Sequence, residues 1–159
     1  MATSTIDLQR GIFEDFITNG MFAMLVDMPE LGDSNNLTIE EYEVRAHVNL
    51  RQAAPHELPA IKGYQRFIIS NPEVQYERSF AAVEINASFE AEEDIGPFTH
   101  VLICAGGDVF NATASNGNNR GSTLGRVLLI DSTNTNYLPA TATYEYSTVF
   151  RLKLRDVMS

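Results

Sequence analysis

Two short apolar runs constrain this chain more than anything else in it: Phe98-Thr-His-Val-Leu-Ile-Cys-Ala105 and Arg126-Val-Leu-Leu-Ile-Asp131. Each is rich in β-branched or large apolar residues and is bounded by glycine, proline or asparagine, the pattern of a strand buried on both faces. They are expected at the centre of a sheet. Between them lie the nineteen residues from Gly106 to Leu124, mostly Gly, Asn, Ser and Thr, with too few apolar side chains to offset the entropy of ordering them alone. A loop of that length inside a compact domain is commonly functional. Asp108, Phe110, Asn116, Asn118 and Arg120 are therefore the candidate interface residues, to be ordered against another subunit.

At 159 residues the chain reads as one domain, spanning 1–159, able to bury roughly 68–70% of its unfolded surface. Mean hydropathy is close to zero, and no run approaches the roughly 20 apolar residues that a spanning helix requires. No basic segment followed by an apolar one opens the chain, so synthesis and retention in a cytoplasm are expected. The single cysteine, Cys104, fits a small core residue better than a nucleophile. With a net charge of −10 the surface should repel nucleic acid and anionic lipid, which leaves neither as an expected partner.

In chain order, Ser4 and Asp7 have the spacing of a capping box. Leu8, Ile12, Phe13, Phe16 and Ile17 follow at helical spacing, and Asn19-Gly20 supplies a stop. A helix over about 5–18, capping a sheet with its Phe-Ile stripe, is predicted. Met21 to Val26 is apolar on both alternations and reads as a buried strand. Asp27 to Asn36 reads as a loop. Tyr42, Val44, Ala46, Val48 and Leu50 then alternate with polar residues, predicting a half-exposed strand over 41–51. Pro55, Pro59 and Gly63 mark a connection.

Further strands are expected at Tyr64 to Ser70, at Ala82 to Phe89 with Val83, Ile85, Ala87 and Phe89 inward, and at Tyr144 to Leu154 with Tyr144, Tyr146, Thr148, Phe150, Leu152 and Leu154 on one face. About seven strands, one leading helix and no helical segment between the later strands predict a mainly β chain. The expected fold is an antiparallel β-sandwich, Ig-like or jelly-roll-like, with a short N-terminal α-helix and a long polar loop at about 106–124.

Chemistry is harder to find. Ser, His and Asp are present, but no G-x-S-x-G elbow accompanies them. His47, His56 and His100 have no metal-binding spacing, and His100 reads as a hydrogen-bonded core or interface residue. The carboxylates at Glu90, Glu92, Glu93 and Asp94, and at Asp27, Glu30 and Asp33, fall in turns expected to be solvated. Gly106-Gly107-Asp108 matches no phosphate-binding fingerprint. No catalytic residue, metal or cofactor is assigned.

Several short motifs nevertheless combine in a characteristic order: Met-Phe-Ala-Met-Leu-Val after a short helix, Gly63-Tyr64-Gln65-Arg66, the Ile85 to Phe89 segment, Ile95 to Val101 with its Phe-Thr-His-Val, Gly-Arg-Val-Leu-Leu-Ile, and a long terminal strand. Over nearly the whole chain this order resembles the small virion structural proteins of tailed bacteriophages. The resemblance implies a non-enzymatic β-sandwich made in the host cytoplasm and assembled on the virion. It would act there as a homo-oligomer with other virion proteins, as capsid decoration (cement) or as a tail or fibre component. It carries over no catalytic residue, and the inserted 106–124 loop departs from the compact link usual at that point. The competing expectation is a carbohydrate- or ligand-binding β-sandwich using Tyr137, Tyr144 and Tyr146, provided those rings are not on the core face.

Overall fold

The computed structural model describes residues 5–18, 20–59, 62–70, 72–105 and 125–154. Among them the chain forms α1 (Ile6–Thr18), β1 (Met21–Val26), α2 (Ile39–His47), α3 (Leu50–Ala53), β2 (Phe67–Ile69), β3 (Val74–Glu77), β4 (Phe80–Glu90), β5 (His100–Ala105), β6 (Arg126–Ser132) and β7 (Thr143–Lys153). Single 3-10 turns lie at Pro29–Leu31 and Ala54–His56.

The seven strands make two antiparallel sheets, ordered β2-β1-β5-β6 and β3-β4-β7. They pack face to face. Met21, Ala23 and Leu25 of β1 and Val101, Ile103 and Ala105 of β5 meet Ala81, Val83, Ile85, Ala87 and Phe89 of β4 in one core, closed at an end by Phe13 and Ile17 of α1. The mainly β sandwich with a short N-terminal helix expected from the sequence is therefore present.

The alternate residues of the first sheet are buried as well. Phe22, Met24, Val26, Leu102 and Cys104 form a second core with Met28, Leu31, Leu50 and Ala53. The turn after β1 and α3 thus cover the outer face of this sheet. That explains why β1 is apolar at every position and β5 at every position after His100, whereas β4 and β7 alternate: their outer face has no cover, and odd positions of β7 from Thr143 to Lys153 are exposed.

Several expectations need correction. The 41–51 segment is not a strand. Thr38 caps α2, its hydroxyl accepting the Glu41 N–H at 3.2 Å while Glu41 Oε2 accepts the Thr38 N–H at 3.1 Å, a reciprocal capping box. Glu40 and Glu41 at its start and Arg45 and His47 at its end also suit the helix dipole. Of the five alternating apolar residues, only Val48 and Leu50 join a core, while Tyr42 and Val44 are exposed.

The connection after it is not wholly irregular, because Asn49 and Gln52 make a second capping box that starts α3. The strand expected over 64–70 is shorter, and β3 went unrecognised because four residues are too few to show a period. The count of seven strands is thus met with one expected strand replaced by another. β5 is central, lying between β1 and β6, but β6 ends its sheet among the described residues and is only half-buried. On α1, Leu8 and Ile12 face solvent, so the packed stripe is narrower than expected. The hydroxyl that caps α1 is that of Thr5, which accepts the Leu8 N–H at 3.2 Å, and Ser4 lies outside the described residues.

Candidate functional site

β2 pairs only with Met21 to Ala23, so the far half of β1 needs another neighbour. It finds one in the connection after α3. The Leu58 N–H donates to the Leu25 carbonyl at 3.2 Å, the Asp27 N–H to the His56 carbonyl at 2.9 Å, and Glu57 bridges Val26. The Leu25 N–H donates to the Tyr64 hydroxyl (2.9 Å), which donates in turn to Glu57 Oε2 (3.0 Å).

Arg66 completes this knot. Its Nε donates to both Glu57 oxygens (3.1 and 2.9 Å) and its Nη2 to Oε1 (2.8 Å), with both side chains fully buried. The guanidinium carbon lies 4.7 Å from the centre of the Phe22 ring, a cation–π contact. Burial, aided by the neighbouring Glu57 charge, pushes the Tyr64 hydroxyl well above its ordinary pKa. Burial alone would lower that of Arg66, but the hydrogen bonds and charge of Glu57 outweigh it. The knot replaces strand pairing with side chains, and every polar atom named here points inward.

A second polar group sits where β5 and β6 meet the turn after β1. Gly32, in the left-handed region at φ 76°, turns its carbonyl toward Arg45 Nη2 (2.6 Å) and His100 Nε2 (2.7 Å). The Met28 N–H donates to Thr99 Oγ1 (2.8 Å), and that hydroxyl lies 2.7 Å from His100 Nδ1 and 3.4 Å from the Val26 carbonyl oxygen. His100 Nε2 also lies 3.2 Å from Arg45 Nη2, so the guanidinium and the Gly32 carbonyl share one face of the ring. Burial is the main cause holding the His100 pKa below its ordinary value; the Arg45 charge acts in the same direction, against the pull of Gly32 and Asp131.

Beside it, Ser34 Oγ donates to Asp131 Oδ1 and receives the Ser132 N–H (2.8 Å), and the Tyr146 hydroxyl donates to Asp131 Oδ2 (2.9 Å). Burial, then Asp131, pushes the Tyr146 hydroxyl upward. Ser, His and Asp are therefore neighbours here without forming a catalytic relay. A relay needs the imidazole between hydroxyl and carboxylate, whereas Ser34 meets Asp131 directly and both nitrogens of His100 face Thr99 and Gly32. The arrangement fastens the 27–36 segment and α2 to the sheet.

The other candidates separate in space. Cys104 is buried, and burial drives its thiol far up, away from thiolate chemistry. His47 and His56 border a shallow hollow of about 480 Å3 with Glu30 and Gln52, and His100 is not on its wall. Among the described residues no three His, Cys, Asp or Glu side chains are gathered as a metal site would need, and no helix is long and apolar enough to cross a membrane.

Tyr144 packs its ring against Phe89 and Phe98, and Tyr146 is buried, so both lie on the core face; Tyr137 alone of that aromatic set is exposed. The five candidate interface residues Asp108, Phe110, Asn116, Asn118 and Arg120 lie outside the described residues. The second polar group was missed from sequence because its partners come from distant segments, and the first because Glu57, Tyr64 and Arg66, though within nine residues of one another, meet in a proline-marked connection with no period. Only the Thr38 to Glu41 capping box had a local signal. Comparison with family models, with curated proteins and with solved structures finds no match.

Proposed function

We propose that this chain is a non-enzymatic assembly subunit, a structural protein of a tailed-phage virion that works as a homo-oligomer on the capsid or in the tail or fibre apparatus. The observation that carries its assembly role is the set of large apolar side chains left exposed on two helices. Leu8 and Ile12 are one turn apart on α1, and Ile39 and Tyr42 one turn apart on α2, with Ile39 77% exposed. Each helix thus leaves an apolar pair open to contact with another protein.

The polar groups with catalytic side chains support the same role, because their hydrogen bonds fasten secondary structure together. The virion setting rests on the motif order from Gly63-Tyr64-Gln65-Arg66 to the terminal strand. The test is sedimentation of the purified chain over a wide concentration range, together with co-sedimentation on heads and tails of the phage that encodes it. Concentration-dependent oligomers that bind one of these particles are expected. A chain that stays monomeric at high concentration and binds neither particle overturns the proposal.

A further inference from the structure

We propose that β7 is the edge through which two copies of this chain join, in antiparallel register with its own counterpart and centred on Val149. This inference rests on the assembly role and names its surface. Each sheet ends in two edges among the described residues, and these differ. β2 and β3 are three and four residues long, β6 has seven, and β7 has eleven. At the end of β6, both the N–H and the hydroxyl of Ser132 are engaged by Ser34. β7 pairs with β4 over its whole length, and no described strand pairs with its other side.

Which backbone groups face that open side follows from one bond beyond the strand. The Leu154 N–H donates to the Ser79 carbonyl at 2.7 Å. These two residues continue the register in which Lys153 lies opposite Phe80. In an antiparallel ladder, hydrogen-bonded pairs alternate with pairs whose groups point away. Even-numbered residues of β7 therefore bond to β4, and Glu145, Ser147, Val149, Arg151 and Lys153 direct N–H and C=O outward. Their side chains are the exposed ones. An edge of this length that no described strand covers is a template for another strand.

The occupant is identified by charge. β7 carries Glu145 toward its start and Arg151 and Lys153 at its end. In a chain with net charge −10, an arbitrary face would repel its own copy. When two β7 strands run antiparallel about Val149, each Glu145 instead lies opposite the Lys153 of the second copy and each Ser147 opposite Arg151. Val149, 54% exposed, then meets itself. Cross-strand pairs of opposite charge stabilise an antiparallel sheet and like charges destabilise it. Such a self-complementary strand fits a two-fold contact and would join the two β3-β4-β7 sheets into one.

The test is a charge swap read by sedimentation equilibrium of the full chain. Glu145→Lys and Lys153→Glu each place like charges opposite at both ends of the contact and should weaken the dimer about tenfold. The double variant Glu145→Lys with Lys153→Glu restores opposite charges and should recover affinity to within about threefold. Both side chains are exposed, so far-UV circular dichroism should be unchanged in all three. Single variants that associate like the parent, or a double variant as weak as the singles, would overturn β7 pairing while oligomerisation or particle binding still stood. A parent chain that remains monomeric also overturns it, and the assembly role then falls only if particle binding fails too.

Discussion

The two sheets differ in how much of their surface the chain itself covers. The central strands β1 and β5 of the β2-β1-β5-β6 sheet are buried on both faces, with Phe22 and Leu102 sealed on one side and Leu25 and Ile103 on the other. Even the half of β1 that β2 does not reach is closed, by Tyr64, Glu57 and Leu58. The β3-β4-β7 sheet has one covered face, one face in water and an eleven-residue edge without a described partner. The first sheet encloses its two central strands, and the second leaves a face and its longest edge open.

The largest way to break this contrast is to open the closed sheet. Replacing Arg66 by Ala leaves the Glu57 carboxylate buried without its paired cation, and should cost about 3–5 kcal/mol in chemical denaturation. Replacing both Arg66 and Glu57 by Leu should cost clearly less, because no unpaired charge remains.

The second test probes the open edge by position. Thr148→Pro deletes an N–H that bonds to β4 and should destabilise the fold by about 3 kcal/mol. Val149→Pro removes an outward N–H and should cost much less, while lowering the tendency to dimerise. Equal destabilisation by the two would mean that the assignment of inward and outward groups is wrong.

The smallest expected effect is on pH dependence. In the folded protein burial holds the His100 pKa below its ordinary value of 6.5. The unfolded chain therefore binds the proton more readily. The stability that this difference supplies is complete above the unfolded pKa and declines as pH falls from about 6.5 toward the lower folded value. Thermal melts between pH 7.5 and 5 should show that decline, and His100→Gln should flatten it.

What the sequence made legible follows the same division between the sheets. β4 and β7 announced themselves because one wet face imposes period two, and β1 and β5 because two dry faces remove any period. The 41–51 segment imitated a half-buried strand because Tyr42 and Val44 are spaced by two, although both are exposed and the Thr38 to Glu41 capping box sets the local structure. In this chain a cap was better evidence than an alternation. The Glu57, Tyr64 and Arg66 knot had no local signature at all. Two proline-flanked stretches must first be brought beside β1 before a carboxylate and a guanidinium can meet, and spacing along the chain does not encode that meeting. The interface residues expected at Asp108, Phe110, Asn116, Asn118 and Arg120 lie outside the described residues, whereas the edge at β7 was visible in sequence only as a long alternating strand.

The central claim is that β7 presents a bare edge in the single chain and a paired one in the assembly. Residue-resolved hydrogen exchange at low and high protein concentration tests it most directly. Amides of Tyr144, Tyr146, Thr148, Phe150 and Leu152 should be protected at both concentrations, and those of Glu145, Ser147, Val149, Arg151 and Lys153 should become protected only as the chain associates. Outward amides already protected in the dilute monomer, or still unprotected once the chain has assembled, would contradict it.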